Sequence, residues 1–237
     1  MLSASDQWRV AYPGACIGVL AMSGVANPER SPELETKKKV LESDLRSRFA
    51  SMTRDQLKSH PQLAPYTAYY KRFDKTYHVQ HQLESVIFKK KSMPQVATLV
   101  EAMFMAELKN LLLTAGHDLD SVQGDIAVEL AVGTESYLTL SGQEQALNRG
   151  DMFIRDEAGV LSSIIYGPDH RTRIIPATTH VLFTVYAPAG IHEDKVRDHL
   201  SDLREFVTAI SPAAVVQHAE VTTSKASREV GGLDAVG

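Results

Sequence analysis

From Tyr70 to Lys91 the chain reads YKRFDKTYHVQHQLESVIFKKK, which sets Lys71, Arg72, Lys75, Lys89, Lys90 and Lys91 against only Asp74 and Glu84. Tyr69, Tyr70, Phe73 and Tyr77 lie among these cations. Ammonium and guanidinium groups hold phosphates while interleaved rings stack on bases, so the stretch is a candidate RNA-binding surface. The alternative is a solvated helix face whose aromatic rings dock on the core. A second group, Asp169, His170, Arg171 and Arg173 in YGPDHRTR, can grip a phosphate or carboxylate through Arg171 and Arg173. It can equally be the charged tip of a hairpin.

Other reactive side chains point to less. His78 and His81 are three residues apart, with Glu84 one turn on, but a metal site needs three or four converging ligands and no HExxH or CxxC pattern supplies them. They read as surface histidines, and neither a metal nor another cofactor is expected. Asp118 and Asp120 can form an acid–base pair or cap turns. Cys16 lies in an apolar run and reads as a buried thiol. There is no GxSxG elbow and no GxGxxG or GxxxxGK[ST] phosphate loop.

The chain has 237 residues, 43% hydrophobic and 23% charged, with a formal charge of −4. That composition fits a folded domain with a sizeable core and argues against a broadly basic nucleic-acid surface, leaving room for a local patch. No window of about 18 apolar residues is present, so no membrane helix is expected. A single cysteine and an N-terminus without an apolar signal run suit a cytoplasmic protein.

These groups must be carried by a helical first half and a stranded second half. Residues 15–25 read as a buried strand, followed by a helix with Ser31 as N-cap and Leu34, Leu41, Leu45 and Phe49 facing inward. Thr53 to Asp55 reads as a connection. Residues 66–91 read as helical over much of their length, with Val79, Leu83 and Val86-Ile87 inward. Residues 94–114 give the strongest helical period, through Leu99-Val100, Met103-Phe104, Leu108 and Leu111-Leu112, with Gly116 just past the helix end. Short alternating runs at 125–130, 136–140, 152–155, 160–166 and 181–186 predict antiparallel strands. A helix over 195–210 and a last strand over 213–221 close the pattern. The expected fold is α+β, a single domain over 1–221 with a flexible tail over 222–237.

The run LVEAMFMAELKNLLLTAGHDLDSVQGDIAVELAVGTESYLTL resembles the B3/B4 module of the phenylalanyl-tRNA synthetase β chain. That family reads roughly V-D-x-T-N-Y-V-M-L, H-A-F-D-L and G-x-I-x-V-R. Val100-Glu101 matches V-D, Asp118-Leu119 matches D-L, and Gly124-Asp125-Ile126 matches G-x-I. Residues 148–156 fit the family's D-x-L-V-I-A-D strand and 178–187 its N-V-L-L-E strand, so the likeness covers about 93–187 in order. The resemblance implies a free-standing version of the module.

In the synthetase this module is an editing pocket where tyrosine misattached to tRNA is hydrolysed. The resemblance therefore implies a pocket for the aminoacylated end of tRNA, lined by Met103, Phe104, Ala115, Ser162, Ser163 and Thr184. It also implies that the editing groups are changed: the family threonine falls on Met103, its asparagine on Phe104, its histidine on Ala115 and its glutamate on Thr184. His117, Glu101 and Thr184 are the nearest remaining candidates for catalysis. Three functions compete: a module that binds tRNA or deacylates aminoacyl-tRNA, a non-catalytic site for a free amino acid or similar metabolite, and an interaction domain.

Overall fold

The computed structural model describes residues 2–224. Its heart is a four-stranded antiparallel sheet built on the most apolar strand of the chain, β2 (Cys16–Ser23), all but its last residue buried. β2 runs between β10 (His180–Ala187) and β11 (Val215–Thr223), and β3 (Leu113–Asp118) pairs with the far side of β10. Two helices cover this sheet, α6 (Thr98–Asn110) and α7 (Glu193–Ile210). α7 lies so close to β2 that a Cβ on Gly18 would meet Val196 Cγ1 at 2.5 Å. Glycine is required there by the approach of the helix.

A second sheet has the order β1 (Leu2–Ala4), β4 (Ile126–Leu130), β7 (Met152–Asp156), β8 (Gly159–Ser163) and β9 (Gly167–Pro168). β5 (Ser136–Leu138) and β6 (Glu144–Ala146) form a separate hairpin. The helical half consists of α1 (Asp6–Ala11), α2 (Pro32–Arg48), α3 (Arg54–Lys58), α4 (Ala64–Lys71) and α5 (His78–Ile87). The fold is α+β, as the helix-to-strand change in pattern predicts. Ser31 caps α2 by accepting the Leu34 N–H at 3.2 Å, and Leu34, Leu41, Leu45 and Phe49 are all buried.

The structure departs from the sequence reading in five places. β1 pairs with β4 in parallel, so the sheets are not wholly antiparallel. Thr53 to Asp55 is no plain connection: Thr53 starts α3 through a capping box with Gln56. The expected long helix over 66–91 is two helices, separated by a turn in which Asp74 takes φ 54°. The 94–114 helix stops at Asn110 because Leu111 adopts a left-handed conformation, φ 62°, and residues 113–118 then run as a strand, with Gly116 inside it. β11 extends to Thr223, and Ser224 is tied back to the fold by its N–H to Ala15 O at 2.9 Å and by Gly14 N–H to its Oγ at 2.7 Å. Residues 225–237, the rest of the expected flexible tail, lie outside the described residues.

Candidate functional site

Reversal of the chain at Leu111 puts α6 directly beside β3, and the two open a cleft of about 300 Å³. Val100, Met103, Phe104 and Glu107 form the α6 wall, while Leu113 to Gly116 supply the β3 wall. Ser163, Ile164, Gly167 and Pro168 close the opposite side, and His78, Leu140, Arg173, Ile174 and Tyr186 complete it. Gly116 is the narrow point of the floor. A Cβ there would meet Ile174 Cδ1 at 2.8 Å and Met103 Sδ at 3.3 Å. Most of this lining is apolar, as ligand clefts usually are, with a few polar groups to orient what binds.

The polar groups are unlike in character. Glu107 is 1% exposed; its Oε1 accepts the Thr114 N–H at 2.8 Å, and its Oε2 has no hydrogen-bond partner among the described residues. Burial pushes this carboxyl up to about 8, against the smaller opposing effect of the Thr114 N–H. The Tyr186 hydroxyl pairs with Ser162, and Ser163 Oγ accepts the Tyr166 N–H at 3.0 Å. Arg173 donates to the His170 carbonyl at 2.7 Å. His78 packs edge-on against Tyr70 and Tyr77, and its pKa is lowered first by desolvation and then by His81.

Of the residues expected in the pocket, the fold brings Met103, Phe104, Ala115 and Ser163 together around this cleft. Ser162 and Thr184 are fully buried beside it without lining it. The three catalytic candidates also stand outside. Glu101 is buried in an ion pair with Lys38. His117 is fully enclosed, with Nδ1 2.8 Å from Thr172 Oγ1; burial holds its pKa down to about 3, and Arg171 adds to the lowering. Thr184 lies within β10, registered between Val19 of β2 and Ala115 of β3. None of the three lines the cleft, whereas Glu107 does. The clue to Glu107 was legible: it is an acid in the middle of the apolar face made by Val100, Met103-Phe104 and Leu111.

The basic residues separate into distinct groups. Lys71 and Lys75 converge with Arg54, Lys58 and His81 on a groove of about 440 Å³, against Glu84. Arg54 and Lys58 give no sequence signal of this placement, because the short helix α3 looks like a connection. Arg72 lies over the rings of Tyr12, Tyr69 and Phe73 at 5.3–5.6 Å, which holds it to the protein surface by cation–π attraction. Lys89, Lys90 and Lys91 are exposed beyond the end of α5 and do not line the groove. Arg171 is committed to Asp156 in a two-pronged pair at 2.9 and 3.0 Å and to the Ser121 carbonyl at 2.7 Å, which makes it part of the framework.

The aromatic side chains expected to stack on bases are mostly internal. Tyr69, Tyr70 and Tyr77 are each no more than 3% exposed. The Tyr70 hydroxyl donates to the Ile164 carbonyl at 2.6 Å, Tyr77 to the Leu111 carbonyl at 3.3 Å, and Tyr66 to the Tyr186 carbonyl. They tie the α4–α5 segment to the walls of the cleft, which is their function in the fold. His78 faces the cleft and His81 the basic groove, and no cluster of three metal-ligating side chains occurs among the described residues. No helix among them is long and apolar enough to cross a membrane.

A stretch of 69 residues is 29% identical to the phenylalanine–tRNA ligase beta subunit of Mycoplasma genitalium, covering 29% of this chain and 9% of that protein. The chain therefore matches only a small part of the length of that relative. An N-terminal fragment of the phenylalanyl-tRNA synthetase beta-subunit from Pyrococcus horikoshii aligns with 93% of this chain and 50% of its own, at a TM-score of 0.47 and 11% identity. The family model of the B3/4 domain matches residues 65–222, a span that runs from within α4 through α7 and takes in the whole cleft, and the chain belongs to the B3/4 domain family.

Proposed function

We propose that this B3/4 domain binds the aminoacylated end of a tRNA in the cytosol, the amino acid in the cleft and the adjoining phosphates in the basic groove. The observation that carries this reading is the position of the two sites on either side of the turn between α4 and α5. His78 lines the cleft, and Arg54, Lys58, Lys71 and Lys75 line the groove. The relation to phenylalanine–tRNA ligase beta subunits supplies the substrate class. Hydrolysis of a bound aminoacyl ester would add water across the ester bond, releasing the amino acid and the ribose hydroxyl. Glu107, Ser163 and His78 are the cleft groups able to position that water. Mischarged tRNA tests the proposal: salt-sensitive binding, with or without faster deacylation, is the expected result. An unchanged deacylation rate together with no salt-sensitive binding would overturn it.

The apolar walls at Met103, Phe104 and Ala115 favour a second reading, a site for a free amino acid. Binding to the folded state raises thermal stability. A shift with free amino acids and no tRNA binding would select this reading over the first.

A further inference from the structure

Glu107 is an acid for which the fold provides no counter-ion. It makes no ion pair with a lysine, arginine or histidine among the described residues, although it is 1% exposed. Only Oε1 is used within the protein, at the turn from α6 to β3. A Leu or Met at this position would continue the apolar face of Val100, Met103 and Phe104 without burying an unpaired oxygen. An unpaired buried carboxyl oxygen is costly, and its presence at a ligand-sized cleft calls for a partner from outside.

We infer that Glu107 Oε2 is the docking point for a primary ammonium group, and that the cleft takes apolar primary amines of the α-amino acid class, free or esterified. The inference rests on the cleft being the ligand site of the proposed function, and it adds the chemical handle by which the ligand is held. An ammonium donates a charge-assisted hydrogen bond to the open oxygen and supplies the missing counter-charge in one step. The body of the ligand then lies against Val100, Met103, Phe104 and Ile174. Arg173 is the cation on the opposite side, suited to a carboxylate or to the phosphate following an esterified ribose.

Burial raises the Glu107 carboxyl to about 8 and so keeps it largely protonated near neutral pH, and docking an ammonium expels that proton to solvent. The titratable groups facing it are His78 of α5, Tyr66 and Tyr70 of α4, Tyr77 before α5, Tyr186 of β10, Arg173, and His199 of α7, which reaches Thr114 Oγ1 at 2.7 Å. Burial holds the tyrosines protonated and His199 neutral, which leaves His78 and Glu107 to shape any pH dependence.

Calorimetry with 2-phenylethylamine, isopentylamine and their N-acetyl derivatives tests the inference. Both amines stay charged across the range used. The amines are expected to bind, tightening from about pH 6 to about pH 8 with proton release, and the acetylated forms are expected not to bind. Glu107→Gln keeps an acceptor for the Thr114 N–H, and its thermal unfolding shows whether it is folded. It should lose about tenfold or more in amine affinity. Glu107→Leu, which continues the apolar wall, should lose as much and serves if the Gln variant does not fold. Equal binding of amine and acetylamine, unchanged affinity in both variants, or no amine binding to the wild type would overturn the inference. Salt-sensitive tRNA binding retained through any of these results would leave the proposed function standing and remove only the role of Glu107.

Discussion

Glu107 and Thr114 face each other across the turn that ends α6, with Glu107 Oε1 accepting the Thr114 N–H at 2.8 Å. Thr114 in turn holds the His199 ring by its hydroxyl at 2.7 Å, so α6, β3 and α7 meet at one polar point in an apolar interior. The carboxyl that lines the cleft is thus also a brace for the turn that creates it. The brace uses Oε1 alone and leaves Oε2 without a hydrogen-bond partner among the described residues.

That arrangement sets the sign of one pH effect. The folded-state pKa of Glu107 is raised, from an ordinary 4.5 to about 8, so the folded chain holds a proton that the unfolded chain releases. Its stabilising effect is full below about pH 4.5 and disappears as pH rises through about 8, at about 1.4 kcal/mol for each unit crossed. Urea midpoints measured at about pH 5 and about pH 8 should fall for the wild type relative to Glu107→Gln. Parallel pH curves for the two proteins would show that the carboxyl is not buried in this way.

Two buried histidines act in the opposite direction. His117 and His199 are both fully enclosed, and desolvation lowers both to about 3 from an ordinary 6.5. Their lowered values favour the fold above about pH 6.5, and that advantage is lost as pH falls towards about 3. Replacing His199 by Gln keeps a polar partner for Thr114 while removing one of the two protons. Acid unfolding of His199→Gln should be shallower than that of the wild type by about 1.4 kcal/mol per pH unit, and an equal slope would contradict the assignment.

Leu111 shows two effects in competition. At φ 62° it pays a left-handed backbone strain of about 1–2 kcal/mol, which glycine would remove. It is also 0% exposed, and deleting a buried leucine side chain costs about 2–5 kcal/mol. The second effect is larger. Leu111→Gly should therefore lower stability by about 2 kcal/mol despite relieving the turn, and a gain in denaturation midpoint would show that strain dominates.

The same residue explains what the sequence could and could not convey. α2, β2, β10 and α7 were legible because each carries a strong cap or an unbroken apolar pattern, as with Ser31 or the buried run of β2. The end of α6 was not, because Leu111 to Leu113 extend the helical apolar period and leucine gives no local sign of a left-handed turn. The cleft was half legible: Met103, Phe104, Ala115 and Ser163 came from an ordered likeness to a family. That Glu101, His117 and Thr184 lie outside the cleft is not legible, because side-chain type does not reveal which groups line it. Their roles follow from partners distant in sequence, such as Lys38 for Glu101 and Thr172 for His117.

Arg171 illustrates the same limit for a cation. Its two contacts to Asp156, which is 1% exposed, make it a framework residue. Arg171→Ala strands that carboxylate, and removal of one partner of a buried pair typically costs about 3 kcal/mol or more. Lysine lacks the planar fork and should restore little of the loss. Both variants, assayed where they remain folded, should bind tRNA as the wild type does. Weakened binding in a folded variant would return Arg171 to the RNA surface.

The basic groove makes the sharpest demand on the RNA reading. Lys71 and Lys75 are exposed on a groove shared with Arg54 and Lys58, so their removal costs little packing. If their ammonium groups meet phosphates, each lost contact weakens binding for all tRNA sequences alike and lowers the slope of log affinity against log salt by about 0.7 to 0.9. Lys71→Gln with Lys75→Gln should therefore reduce the slope by about 1.4 to 1.8, while the lost contact of Lys75 with the Tyr166 ring lowers stability by no more than about 1 kcal/mol. Lys89→Gln with Lys90→Gln removes the same charge from beyond the end of α5, outside the groove. An equal loss in both double variants would indicate diffuse attraction to net charge, whereas a loss confined to the first places the phosphates in the groove beside the cleft.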